Sequence, residues 1–187
     1  NIKGTEKEMN QLLHTPEGVR DIYNEECSKK NALSAKLDRI LKLYGYKDIQ
    51  TPTFEFFDIF NRERGSVPSR NMYKFIDRDG STLVLRPDIT PSIARAVAKY
   101  FKEETIPLRF SYCGNTFINN SSLQGKMKET TQLGAELIGD RDIEGDAEVV
   151  ALAIHLLLES GLTDFQLDIG HVGIFQCLAK QAGFSEE

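Results

Sequence analysis

Two segments, 108–117 and 129–138, constrain this chain's fold more than any other feature: both read as strands, and a polar loop separates them. Side chains on a strand alternate between its faces, so Gln132 and Glu136 share one face, with Gly134 between them. A second strand pair, 73–77 and 82–86, surrounds Arg78-Asp79-Gly80-Ser81, a turn composition that suits a hairpin. Adjacent strands joined in hairpins, with helices packed on one face, predict an α+β fold built on an antiparallel sheet.

The helices are read from spacing. Between about Asn24 and Tyr44, the residues Leu33, Leu37, Ile40, Leu41 and Tyr44 recur by threes and fours, and Gly45 ends the pattern. A short strand near 47–50 stops at Pro52, and 54–60 is expected to start another helix. Asp88 or Thr90 can cap a helix with Pro91 in its first turn and Ile93, Ala94, Val97, Ala98 and Phe101 as its buried stripe. Residues 146–159 read as a largely buried helix, 165–169 as a strand and 173–182 as a last helix.

Composition narrows the function. At 187 residues, 40% hydrophobic and 27% charged, the chain is an ordinary globular domain, large enough to bury about 70% of its unfolded surface. A net charge of −5 and a sequence pI near 5.3 argue against a broad basic surface, and so against autonomous tRNA binding. Cys27, Cys113 and Cys177 are odd in number and lack metal-site spacing, which favours reduced thiols, a cytoplasmic location and no metal. The apolar run 149–158 is interrupted by His155 and is too short to span a bilayer, so no membrane contact is expected. No cofactor motif of the phosphate-cradling glycine type is present.

Candidate site residues admit two readings each. The Asp88 carboxylate and Thr90 hydroxyl could meet a ligand ammonium, in a charge-assisted hydrogen bond of about 1.5–3 kcal/mol, or simply begin a helix. Gln132 and Glu136 could bind a ligand approaching over Gly134, or line a solvated strand face. Lys126 and Lys128 could attract anions, or sit in a wet loop. His155, on an apolar helix, is expected to be a satisfied core histidine. Phe54, Phe56, Phe57, Ile59 and Phe60 crowd one region and are expected to present an apolar patch that favours a homodimer through residues 24–60.

Taken together, Leu85-Arg86-Pro87-Asp88-Ile89-Thr90-Pro91, Tyr112-Cys113-Gly114-Asn115-Thr116-Phe117 and Gln132-Leu133-Gly134-Ala135-Glu136-Leu137-Ile138-Gly139 resemble the histidyl-tRNA synthetase family, a class II synthetase core. Thr15-Pro16-Glu17-Gly18-Val19-Arg20-Asp21 resembles its N-terminal signature, and Asp168-Ile169-Gly170-His171-Val172-Gly173 a pattern of its regulatory paralogues. The resemblance implies that Asp88, at a position where the family usually has Glu, binds the α-amino group of histidine with Thr90 and Gln132, and that Glu136 accepts from the imidazole ring. It departs at Ile118 and Asn120, where the synthetases carry Arg and an acid, and at Lys126 and Lys128, where they carry two arginines. Those departures resemble the non-catalytic branch that serves as regulatory subunit of ATP phosphoribosyltransferase. That branch implies histidine as a regulatory ligand and the catalytic subunit as partner; a divergent synthetase fragment or a free-standing amino-acid-binding module is the alternative. The family's core continues past the point matching Glu187 into further strands, a segment bearing Arg and Tyr, and a C-terminal domain, so residues 1–187 are expected to be the N-terminal portion of such a core.

Overall fold

The computed structural model describes residues 13–61, 67–120, 125–170 and 172–182. Its first long element is helix α1, Asn24–Leu43, with Glu25 and Glu26 in the first turn and Lys42 in the last, where each charge complements the helix dipole. The helix stops at Gly45, which adopts a φ of +84°. The Gly45 N–H then donates to Lys42 O (3.0 Å) and the Tyr46 N–H to Leu41 O (3.1 Å), the pairing of a Schellman cap. This reversal drops Tyr46 into the core beside Ile40 and Leu41. Leu33, predicted to be buried, is 41% exposed; the buried residues of α1 are Ile40 and Leu41, near its C-terminal end.

The larger sheet has the order β1 (Lys47–Asp48), β5 (Leu108–Phe117), β6 (Glu129–Ile138). β5 and β6 pair antiparallel along their whole length, from Leu108 opposite Ile138 to Phe117 opposite Glu129. The two-residue β1 pairs with β5 in parallel, so the sheet is mixed at that edge rather than wholly antiparallel. Helices cover both faces, not one. On one face, helix α3 (Thr90–Tyr100) packs Ile93 and Val97 against Phe110, Leu108 and Ile138. On the other, α1 and α4 (Ile143–Ser160) close over Leu133 and Ala135 through Leu41 and Leu152. Ile93 is fully buried, and removing such a side chain from water stabilises the fold by about 1.5–3 kcal/mol.

The smaller sheet, β2 (Phe54–Phe56), β4 (Thr82–Leu85), β3 (Lys74–Ile76), is antiparallel throughout with β4 at its centre. The segment expected to be one helix over 54–60 is therefore strand β2 followed by the one-turn helix α2, Asp58–Asn61. Its aromatics divide accordingly. Phe60 is buried against Met72 and Val84 with Phe57 and Ile59 beside it, whereas Phe54 and Phe56 lie open on the sheet at 52% and 58% exposure. Glu55, between them, points inward and receives Arg95 of α3 at 2.6 and 3.0 Å, tying the small sheet to the helix that covers the large one.

Other expectations are corrected by packing. Ala94 and Ala98 are exposed on α3, where Ser92 and Ala96 take the buried positions instead. α4 buries only Gly145 and Leu152 fully, since the sheet covers one side of it. His155 is half-buried and meets the Tyr44 hydroxyl at 3.4 Å rather than lying inside the core. Residues 165–169 form no strand, and helix α5 follows at Val172–Gln181. His171 lies outside the described residues.

Candidate functional site

The site is assembled where β4 hands over to α3, on the α3 face of the large sheet. Arg86 closes β4 and is 8% exposed. Its Nε donates to Asn115 O at 2.8 Å, and its Nη1 donates to Thr51 O at 2.8 Å and, more weakly, to Pro52 O at 3.4 Å. The guanidinium lies against Gly114, where any Cβ would collide with it. Burial lowers its pKa, with Glu55 opposing that shift, but a guanidinium stays charged in any protein. One side chain therefore joins the β1–β2 link, the end of β4 and strand β5 immediately before Asp88.

The next four residues set the candidate site groups. Ile89, 2% exposed, anchors the turn in the α3 core. Asp88 turns back, and its Oδ1 accepts the Ile89 N–H at 2.7 Å. Neither Asp88 nor Thr90 caps α3: the N-cap position is Ile89, without a side-chain cap. The Thr90 Oγ1 instead donates to Glu136 Oε1 at 2.6 Å, across 46 residues of sequence. This contact brings the two halves of the predicted site together.

On β6, Gln132, Gly134 and Glu136 do share one face, opposite Gly114, Tyr112 and Phe110 respectively. The space over Gly134 is occupied by Tyr112. A Cβ on residue 134 would stand 2.5 Å from both the ring Cζ and the hydroxyl of Tyr112, so glycine admits the phenol onto the sheet between Gln132 and Glu136. The surface over Gly134 is thus the Tyr112 ring rather than bare backbone. The sequence reading missed Tyr112; its signal is the cross-strand pairing of a tyrosine with a glycine, visible only once the register is known.

Electrostatically the site is acidic and partly dry. Glu136 is held above the ordinary carboxylate range, mainly by burial and further by the charge of Asp88, while the Thr90 hydrogen bond pulls the other way. Burial likewise raises Tyr112, with Glu136 and Asp88 adding to the shift against a lowering contact from Thr90. The Gln132 Oε1 is buried without a hydrogen-bond partner. An orphaned acceptor of this kind costs about 1–3 kcal/mol, and a bound donor would relieve it.

A cleft of about 200 Å³ shares Arg86, Ile89 and Tyr112 with this site. A larger one, about 570 Å³, lies near Arg20, Lys30, Asn115 and Glu129. Its polar groups satisfy one another, from Lys30 Nζ to Thr131 (2.7 Å), Thr131 to Asn115 (2.8 Å) and Asn115 to Glu129 (2.7 Å). That self-pairing makes it the weaker ligand site. Lys126 is exposed, and Lys128 lays its stem along Gly18 of the N-terminal turn while its N–H donates to Gly18 O at 2.6 Å. Among the described residues, no cluster of His, Cys, Asp and Glu could hold a metal ion, and no helix is long and apolar enough to cross a membrane.

Comparison with known proteins shows the family of the chain. A family model described as histidyl-tRNA synthetase matches residues 18–187. The chain belongs to the histidyl-tRNA synthetase family. Within it, the chain is 44% identical over 94% of its length to the ATP phosphoribosyltransferase regulatory subunit of Ruminiclostridium cellulolyticum, and 45% identical over 94% to that of Acetivibrio thermocellus. A solved structure from Bacillus halodurans, described as an ATP phosphoribosyltransferase regulatory subunit/histidyl-tRNA synthetase, superposes with a TM-score of 0.83 at 38% identity, covering 91% of this chain and 44% of that one. Apo histidyl-tRNA synthetase of S. aureus gives 0.67 at 31% identity, covering 81% of this chain and 35% of that one. The chain spans 42% of the length of the two named regulatory subunits, so it matches less than half of each. The histidyl-tRNA synthetase family is thus the frame in which Asp88, Thr90, Tyr112, Gln132 and Glu136 are to be read.

Proposed function

We propose that this chain is the ligand-sensing core of a regulatory subunit of ATP phosphoribosyltransferase, the first enzyme of histidine biosynthesis, and that histidine is its feedback ligand. The Thr90–Glu136 hydrogen bond beside the unpartnered Gln132 carbonyl carries the reading. In it, Asp88, Thr90 and Gln132 hold the α-ammonium, and Glu136 accepts from the ring. Relatives named as regulatory subunits at 44% and 45% identity support the regulatory role. The catalytic partner subunit would carry the transferase chemistry in the cytoplasm, and this chain would bind neither phosphoribosyl substrate nor tRNA and need no cofactor.

Loss of synthetase chemistry is the second part of the proposal. Adenylate formation builds charge on a phosphate, which a bidentate Arg stabilises and an aliphatic side chain does not. Ile118 stands at that position, half-buried, with its backbone N–H donating to Lys128 O at 2.9 Å. Removing one such donor costs about 10²–10³ in rate. The synthetase neighbours support the competing reading of a divergent synthetase. Two assays on the full-length protein separate them. Histidine should inhibit the partner transferase only when this subunit is present, and histidine-dependent exchange of pyrophosphate into ATP should be negligible. Exchange at a rate ordinary for a synthetase would refute the regulatory reading.

A further inference from the structure

Two arginines bracket the turn that carries Asp88 and Thr90, and both are anchored on one short segment earlier in the chain. Arg86, before the turn, donates from Nη1 to Thr51 O at 2.8 Å, and its backbone N–H donates to Thr53 O at 2.9 Å. Arg95, after it, donates from Nη2 and Nε to Glu55 Oε1 at 2.6 and 3.0 Å. Glu55 is 7% exposed and its backbone pairs with Val84 of β4, so the small sheet, not α3, fixes where the carboxylate stands. Its charge also acts on Arg86. Residues 51–55 thus reach both ends of the turn.

The packing of α3 gives this anchor a task. Ile93 and Val97 rest on Phe110, Leu108 and Ile138, but apolar contact is non-directional and sets the height of a helix over a sheet better than its position along its own axis. The site needs the second. Thr90 Oγ1 stands 2.6 Å from Glu136 Oε1, and a shift of about 1 Å takes such a contact out of bonding range. The Arg95 fork on a buried carboxylate supplies the directional restraint, because leaving Glu55 unpaired at that burial is costly. We propose that Glu55, acting through Arg95, is a positioning residue for the candidate site: it sets α3 along its axis and so holds the Thr90 hydroxyl within reach of Glu136. Arg95 lies more than one helical turn beyond Thr90 and acts through the helix. The inference rests on the histidine reading above only for the ligand used in one arm of its test.

The test separates positioning from overall stability. Glu55→Gln keeps the shape of the side chain and removes its charge, and Arg95→Lys keeps a cation and removes the fork. Glu148→Gln is the control, since it breaks the comparable pair of Glu148 with Arg109 on the other face of the large sheet. In the full-length protein, calorimetric titration should give a histidine affinity at least about fivefold weaker in Glu55→Gln, a smaller loss in Arg95→Lys, and a change of less than about twofold in Glu148→Gln. Amide exchange supplies an arm that needs no ligand. The Ile93 N–H, bonded to Ile89 O in the first turn of α3, should exchange at least about fivefold faster in Glu55→Gln relative to the Tyr46 N–H, bonded to Leu41 O, which reports stability away from α3. If Glu55→Gln fails to fold, Arg95→Lys is read by the same two criteria. Equal loss of affinity in Glu55→Gln and Glu148→Gln, or equal acceleration of the two amides, overturns the inference. A parent protein that binds no histidine refutes the histidine reading, and the exchange arm alone then decides the positioning role.

Discussion

Substituting Gly134 by alanine tests the site at its tightest contact. The added methyl would lie 2.5 Å from the Cζ and hydroxyl of Tyr112, about 1 Å inside ordinary carbon contact distance. The backbone of residue 134 is held by its pairing opposite Tyr112, so the phenol must leave the sheet. Overpacking of this kind costs about 1–3 kcal/mol. For about 2 kcal/mol, a protein of this size should lose about 4–8 °C in Tm, and its urea midpoint should fall by about 1 M. The displaced ring would also part from Thr90 and Glu136, so histidine affinity should fall by tenfold or more beyond the stability effect. Urea unfolding and calorimetric titration measure the two. Gly170→Ala serves as control, since nothing lies within 4 Å of a Cβ there and its φ is not positive. If Gly134→Ala matches the control in both assays, Tyr112 does not lie where this account puts it.

Two further outcomes are expected. Glu148 receives Arg109 at 2.6 and 2.8 Å and the hydroxyl of buried Tyr46 at 3.1 Å. The Arg109 hydrogen bond leads the effects that hold its pKa below the usual range, while Tyr46 is pushed up to about 12, chiefly by burial. A depressed carboxylate contributes stability that is present above its unfolded value and lost as pH falls through its folded value. Glu148→Gln should therefore cost about 1–2 kcal/mol at neutral pH, and the deficit should vanish on acid titration; a pH-independent deficit would contradict the ion-pair account. Separately, Phe54 and Phe56 on the open face of the small sheet, with Phe75 edge-on to Phe54 at 5.8 Å, support the homodimer proposed for residues 24–60. Sedimentation at micromolar concentration should show a dimer that Phe54→Ser/Phe56→Ser dissociates, and a monomeric parent protein would refute it.

Legibility in the sequence followed locality. The strands of both hairpins were readable because alternation and turn composition are local properties, and α1 and α3 because apolar spacing is. Residues 54–60 were misassigned because a run of aromatics fits a strand and a helix equally, and the pairing of Phe54 with Leu85 that decides it lies across the fold. Residues 165–169 have strand composition but no partner among the described residues, and strands are stable only in sheets. The covering of both sheet faces escaped the reading because it depends on where α4 returns after β6. That Gln132 and Glu136 share a face was legible from strand period, but a ligand role for them, as for Asp88 and Thr90, came only from resemblance. Tyr112 was not legible, since its role arises from register, and Arg86 was not, since its partners are backbone carbonyls that carry no sequence signal.

The central claim is that Asp88, Thr90, Gln132 and Glu136 form one histidine site, and calorimetric titration of the full-length protein with histidine and with glutamine tests it directly. Histidine should bind in clear preference to glutamine. Glu136→Ala should erase that preference by removing the ring's acceptor, whereas Asp88→Ala should weaken both amino acids alike. Equal affinity of the parent protein for the two, or full discrimination retained in Glu136→Ala, would contradict the account.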